Sequence, residues 1–345
     1  MKLSARKKTR KPKMPYEPPF KITDEIINLV AQIAEKIGEL KSFEKSPLHV
    51  ELRKENRIKT IHSSLAIENN SLSIEQITAI IERKRVLGSP NEIQEVKNAV
   101  QAYDLLLELN PYEEKDLLRA HQLMTAELVK RSGKYRKGGV GIFDGKEVVH
   151  LAPPADRVPF LMADLFEWLR ESSVHPLIKS CVFHYEFEFI HPFEDGNGRM
   201  GRLWQTVILK EWKSIFAWIP VEDLVKENQT EYYNALNSSD TDADCTKFIR
   251  FMLNLILRTV DEIISTENAA KKITVKITTK ITANQRKILD EIEKNPFMTQ
   301  EELSAKLGIA RLNIIKNMKK LQENNIIRRI GATKNGHWEI VEAID

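Results

Sequence analysis

The stretch His191-Pro-Phe-Glu-Asp-Gly-Asn-Gly-Arg-Met-Gly-Arg202 decides how the rest of the chain is read. It follows an apolar helical run ending at Ile190, and a second helical pattern, Leu203, Val207 and Ile208, begins beneath it. Pro192 interrupts the first helix, while Gly196 and Gly198 permit backbone geometries that other residues resist. The loop therefore ends at a helix N-terminus, where unpaired N–H groups and the dipole favour an anion. Arg199 and Arg202, three apart, lie on one face of that first turn and can grip phosphate oxygens. Asp195 supplies a hard oxygen ligand suited to Mg²⁺ bridging phosphates. His191, at the loop's mouth, can accept a proton near neutral pH. A base, a metal ligand and an anion cradle thus share one short loop.

Outward from the loop, almost every segment from Ile22 to about Asp261 reads as helix. Apolar residues recur at three and four, as in Ile26, Ile27, Val30, Ile33, Ala34 and Ile37. Further helices are predicted over Val96 to Leu109, Leu117 to Val129, Val158 to Leu169, Pro176 to Ile190 and Phe248 to Ile264. Turn chemistry breaks them at Gly88-Ser-Pro90, Asn110-Pro111 and Ser132-Gly133. One segment differs. Between Tyr135 and Leu151 the chain is glycine-rich, with Asp144-Gly145 between two β-prone pieces, which predicts a hairpin inside a helical domain. A lone hairpin is marginal in water, so it must dock on helices or fold over something.

The chain has 345 residues, 42% of them hydrophobic and 30% charged, with a net charge of +4. That is material for more than one domain, and it makes no global case for nucleic-acid or membrane binding. Cys181 and Cys245 lie far apart without CxxC spacing, which predicts reduced thiols and no structural zinc. The N-terminus is basic but lacks the apolar core of a secretory signal, and no stretch reaches the ~20 apolar residues of a membrane span. A cytoplasmic protein with a disordered basic tail over residues 1–20 is the expectation.

Ser265 to Thr282 is polar and β-branched, with Ile273, Val275, Ile277 and Ile281 largely alternating, and reads as a linker or a short strand. An amphipathic helix from Asn284 to Lys294 follows, then a helix begun by the Thr299-Gln-Glu-Glu302 cap, Gly308, and a helix from about Ala310 to Asn324. Ile326 to Val341 reads as two strands around Lys334-Asn-Gly336. Helix, helix, helix and hairpin over 283–345 is similar to a winged helix-turn-helix. Its third helix would present Arg311, Asn313, Lys316, Lys319 and Lys320, and its wing Arg328, Arg329 and Lys334, cations suited to phosphates of DNA. Winged helices also dock proteins and form dimers.

The loop itself resembles the signature of the Fic (filamentation induced by cyclic AMP) family, HPFx(D/E)GNGRxxR, at every fixed position. Gly133-Lys-Tyr-Arg136 and Val140-Gly141-Ile142-Phe143 resemble the family's flap, and His150 with Pro153-Pro154 the segment after it. The resemblance covers roughly residues 60 to 260. It implies a mainly α protein: a helical core over 111–264 whose flap hairpin clamps a target segment by strand addition, a helical region over 21–110, a linker over 265–282 and the winged helix. It implies a protein adenylyltransferase that moves AMP from ATP to a Tyr, Thr or Ser hydroxyl. His191 would deprotonate the hydroxyl, and Asp195 would hold Mg²⁺ between the α- and β-phosphates. Gly196, Asn197 and Gly198 would form the anion nest, with Asn197 at the α-phosphate, and Arg199 and Arg202 would neutralise the β- and γ-phosphates. Relatives that phosphorylate have Lys where Gly198 stands. Tyr233 and the segment Asn237 to Asp240 align with the adenine side.

Upstream, Ser64-Leu-Ala-Ile-Glu68-Asn69 resembles the family's inhibitory motif (S/T)xxxE(G/N). Ser64 and Glu68 are one helical turn apart and can face one partner. The resemblance implies that Glu68 pairs with Arg202 and so denies it to the γ-phosphate. Alternatives remain open at this point: a DNA-binding regulator whose core senses nucleotide, or an enzyme that also removes AMP. The target protein is unnamed by the sequence. Self-modification and a homodimer are further expectations of the family.

Overall fold

The computed structural model describes residues 16–40, 47–144, 147–278, 281–324, 326–331 and 336–341. Contacts divide the chain into two units, one up to Asp261 and one from Glu262 onward. The first opens with helices α1 (Asp24–Leu40), α2 (Pro47–Ile67), α3 (Ile74–Ile81), α4 (Pro90–Asp104) and α5 (Glu114–Met124). The strands β1 (Gly141–Asp144) and β2 (Glu147–Leu151) interrupt the helices, followed by α6 (Val158–Glu171), α7 (Pro176–Ile190) and α8 (Asn197–Trp212). A 3₁₀ turn over Ser214–Trp218 leads to α9 (Val221–Glu227), α10 (Gln229–Asp242) and α11 (Thr246–Thr278), whose residues from Glu262 on fall in the second unit.

The centre of this unit is set by α7, which buries side chains on every side from Leu177 to Phe187. A helix that is apolar all round must be enclosed by others. It packs against α8, whose residues from Asn197 to Leu209 are nearly all buried. Phe166 of α6 meets Phe183 and Trp204 edge-on between the two. The loop 191–196 that joins α7 to α8 is thereby anchored at both ends in the core.

The predicted hairpin is present. Strands β1 and β2 pair antiparallel, and the register slips by one residue between Ile142 and Phe143, so that Val149 is bulged out of the ladder.

Two sequence expectations need correction. The tail is not solvated throughout: the Tyr16 hydroxyl donates to Glu186 Oε2 at 2.5 Å, Cys245 N–H donates to Pro19 O at 2.9 Å, and Phe20 meets Trp168 edge-on. Aromatic side chains provide the apolar area that a basic tail otherwise lacks. Residues 1–15 lie outside the described residues. The stretch read as linker or strand is instead helical as far as Thr278, within α11. β-Branched residues cost only tenths of a kcal/mol in a helix, and an established helix gains one hydrogen bond per added residue.

The second unit contains α12 (Ala283–Lys294), α13 (Gln300–Leu307), α14 (Arg311–Glu323), β3 (Ile327–Ile330) and β4 (His337–Ile340). Capping boxes at Thr282/Gln285 and Thr299/Glu302 start α12 and α13, and left-handed Gly308 ends α13. Ile288, Ile292, Leu303, Ile314, Met318 and Leu321 form its core with Trp338 of β4. This is the winged-helix arrangement expected. Among the described residues no helix is long and apolar enough to cross a membrane.

Candidate active site

The signature loop is held by residues on three other elements. His191 caps α7 in the left-handed conformation, φ 48°, with its N–H donating to Phe187 O at 2.9 Å. A non-glycine residue there is costly unless its surroundings over-determine it. Arg136 does so: its Nε donates to His191 O at 2.7 Å, Nη1 to Gly138 O at 2.9 Å, and Nη2 to Pro153 O at 2.5 Å and Ile190 O at 3.3 Å. One guanidinium thus caps the carbonyls that end α7 and ties both ends of the hairpin segment to the loop. Its own backbone N–H donates to Pro192 O at 2.9 Å.

His121 of α5 braces the other side. Gly133 N–H donates to its Nδ1 at 2.8 Å, so the ring proton sits on Nε2, which donates to Asp195 O at 3.0 Å. The ring stacks on Phe193, centroids 3.6 Å apart. Burial lowers the His121 pKa to about 4, so this brace is neutral at physiological pH. Gly196, at φ 82°, supplies the left-handed turn into α8, and a Cβ there would meet Thr125 Cγ2 at 2.9 Å.

Asn197 departs from its expected role. Its amide donates to Phe193 O at 3.0 Å and accepts from Phe193 N–H at 2.9 Å, so the side chain closes the loop on itself rather than facing a phosphate. A buried amide takes the nearest complete set of partners, and the loop backbone offers one. The side chain leaves the backbone of the α8 N-terminus as this position's contribution to the cradle.

The two arginines are both 97% buried and go to different carboxylates. Arg199 Nη2 lies 3.1 Å from Asp195 Oδ2, and Nη1 lies 3.6 Å from Glu95 Oε1 of α4. Nε and Nη1 of Arg199 are buried without a hydrogen-bond acceptor. Arg202 is engaged by the Ser64–Glu68 segment: Nη2 donates to Glu68 Oε1 at 2.7 Å and to Ser64 O at 2.9 Å, and Nε to Ser64 Oγ at 3.3 Å. Burial disfavours the Arg202 cation, but the Glu68 charge and hydrogen bond outweigh it and hold its pKa above the usual value. A Cβ on Gly198 would run into the Glu68 carboxylate and reach Arg202 Nη1 at 3.0 Å.

Glu68 lies in the turn just past α2, and the next turn is pinned to α4. Asn70 Nδ2 donates to Glu95 Oε2 at 2.8 Å and Glu92 O at 3.2 Å, and Ser71 N–H donates to Glu92 Oε1 at 2.6 Å. Glu95, Asn70 and His121 carry no motif of their own in the sequence; only the fold brings them to the loop. Of the adenine-side candidates, Tyr233 is exposed and packs edge-on against Tyr232, while Asp240 accepts from the Tyr185 hydroxyl at 2.8 Å. Ile142 and Phe143 lie on β1 with Gly141, and Val140 precedes the strand.

The donor set fits nucleotide phosphates: buried guanidinium donors at the N-terminus of a helix are completed by an anion. For magnesium, Asp195 is half-exposed and accepts from Gly196 N–H through Oδ1 at 2.7 Å. Among the described residues no cluster of three or more metal-ligating side chains forms. A single carboxylate fits an ion that takes its remaining ligands from phosphates and water.

Fold and loop together define a helical domain with two buried arginines at a helix N-terminus and a histidine at the mouth of the loop. Residues 111–209 match the Fic/DOC family, and residues 281–328 match a winged helix-turn-helix DNA-binding family. The crystal structure of a Fic family protein from Desulfovibrio desulfuricans G20 is 44% identical, with a TM-score of 0.75, over 94% of this chain and 98% of that one. The chain belongs to the Fic family. Fic-1 (aa134 - 508) from C. elegans shares the fold at 22% identity and a TM-score of 0.62, over 71% of this chain and 73% of that one. A protein named protein adenylyltransferase Fic from Culex quinquefasciatus is 28% identical over 219 residues, covering 60% of this chain and 42% of that protein. The chain thus spans less than half the length of that curated relative.

Proposed function

We propose that this chain is an autoinhibited protein adenylyltransferase. The observation that carries the reading is Arg199, buried beside Asp195 and the α8 N-terminus, whose Nε has no hydrogen-bond partner and whose Nη1 has only Glu95 Oε1 at 3.6 Å. Such donors are completed by the phosphates of ATP. His191 takes the proton of a target Tyr, Thr or Ser hydroxyl, the freed oxygen attacks the α-phosphorus, and the bond to the β-phosphate oxygen breaks in line. Pyrophosphate leaves and AMP stays on the target. Asp195 would hold Mg²⁺, which would supply charge neutralisation for the phosphates. The backbone N–H groups at Asn197 and Gly198 face the developing charge.

The target enters along the hairpin. Among the described residues β1 pairs only with β2, so its other edge is available to an extended segment around the accepting hydroxyl. Glu68 is the brake. While it holds Arg202, that arginine cannot take the γ-phosphate, and ATP binds unproductively.

The test is label transfer from ATP to protein in a mixture of candidate targets, with intact-mass analysis of the chain itself. Label on the α-phosphate should reach protein with Glu68→Gly and Mg²⁺, and should vanish in Glu68→Gly/His191→Ala. Label on the γ-phosphate should not transfer. No α-label on any protein with Glu68→Gly would sink the adenylyltransferase reading, and equal transfer by wild type would sink the brake.

The second unit supports a separate activity, contact with DNA. Arg311, Lys316, Lys319 and Lys320 of α14 are exposed, as the third helix of a winged helix requires for groove contacts. Arg311 is shared with Glu301 at 3.0 Å, which duplex phosphates would have to displace.

A further inference from the structure

A groove of about 1020 Å³ lies between α2, α3, α4 and the turn that joins the last two, away from the His191 loop. Its floor is aliphatic: Ile58, Ile80, Ile81, Ile93 and Val100 are each only half-buried. Leu87 stands at its edge 92% exposed. The turn carrying Leu87 is held in place, because Gln76 Nε2 donates to Leu87 O at 2.8 Å. A fixed, exposed leucine beside half-buried isoleucines marks a binding surface rather than a fraying loop.

The rim is cationic. Lys54, Arg83, Arg85 and Lys97 are exposed around the groove, and none forms an ion pair among the described residues. The acids within reach are already taken, Asp104 by Arg57 and Glu82 by Lys84. An apolar floor with an uncompensated positive rim asks for an occupant with the opposite pattern: one apolar stripe flanked by carboxylates. We propose that this groove docks an acidic amphipathic helix of a partner protein.

Other occupants fit less well. A second copy of the chain across a twofold axis would bring the same cations face to face. A nucleic acid would satisfy the rim but leave the isoleucine floor against phosphates. A membrane surface is too flat to reach a concave floor. The docking does not depend on the chemistry at His191. Its position still matters, because one of its walls, α4, carries Glu95, and another, α2, leads into the turn that holds Glu68.

The probe is a fluorescently labelled helical peptide of Glu, Ala and Leu, with its leucines on one face at helical spacing, titrated with the full chain by anisotropy. Saturable binding is expected, weakened by salt, and weakened about tenfold or more in Arg85→Glu/Lys97→Glu and in Leu87→Ser. All three side chains are exposed, so unfolding curves should match the wild type. The proposal is overturned if a scrambled peptide of the same composition binds equally, or if no saturable binding occurs. It is equally overturned if duplex DNA, and not the peptide, loses binding in the charge-reversed variant. A dimer in light scattering that Arg85→Glu/Lys97→Glu dissolves would assign the groove to a second copy instead.

Discussion

At His121 two hydrogen bonds of opposite sense fix one tautomer: a backbone N–H arrives at Nδ1 and the Nε2 proton leaves for Asp195 O. His121→Phe keeps the stack on Phe193 and removes both bonds, stranding a donor and an acceptor at about 1–3 kcal/mol each. The expected outcome is a lower melting temperature and transfer reduced about tenfold or more, with His121→Asn restoring part of both. The folded pKa of about 4 lies below the ordinary value of 6.5, so the unfolded chain binds the proton more readily between the two. The stability due to a neutral His121 is complete above pH 6.5 and is lost as pH falls toward 4. That acid-side slope should be shallower in His121→Phe, as calorimetry from pH 7 to pH 4 will register. The sequence makes His191, Asp195 and the arginines legible because their chemistry is local to twelve residues. His121 is not legible, since a histidine on an apolar helix face looks the same whether it braces a loop or fills a core.

Elements are legible where their ends carry their own chemistry. Thr299 with Glu302, Gly308 and the glycine-rich hairpin announce themselves, and the structure has each in place. The extension of α11 does not announce itself, because a polar β-branched run that would suit a strand costs little as the continuation of a helix. The end of α7 is an element-scale feature too, for Arg136 satisfies its last carbonyls and anchors the hairpin segment with one fork. Arg136→Lys keeps the charge and loses the planar geometry. ATP affinity by calorimetry should change little, since no phosphate ligand is touched, while the transfer rate should fall about tenfold or more. An unchanged rate would mean that the loop keeps its shape without the fork.

At the scale of the whole molecule, stability depends on carboxyls enclosed in the helical core. Burial raises Glu222 to about 7, where it accepts from the Tyr103 hydroxyl at 3.1 Å, and burial likewise raises Glu186, beneath Tyr16, to about 7. A carboxyl whose folded pKa exceeds its unfolded value of 4.5 contributes stability that is complete below pH 4.5 and is lost as pH rises through 7. Glu222→Gln replaces a protonated carboxyl by a neutral amide of similar shape. It should match the wild type at pH 5 and melt higher at pH 8, by an amount on the order of 1–3 kcal/mol. A variant no more stable at pH 8 would show that Glu222 is ionised in the fold. These contacts join residues remote in sequence, Tyr16 with Glu186 and Tyr103 with Glu222, and such pairings cannot be read from local pattern.

Gly198 and Glu68 bear on how such a site can change over generations. A side chain at position 198 and a carboxylate bonded to Arg202 claim the same space. A lineage cannot try a larger residue there, and with it a different reaction, while its glutamate stays seated. On the proposed reading of Glu68 as a brake, loosening control has to come first or arrive in the same step, so restraint and chemical repertoire are inherited as one trait.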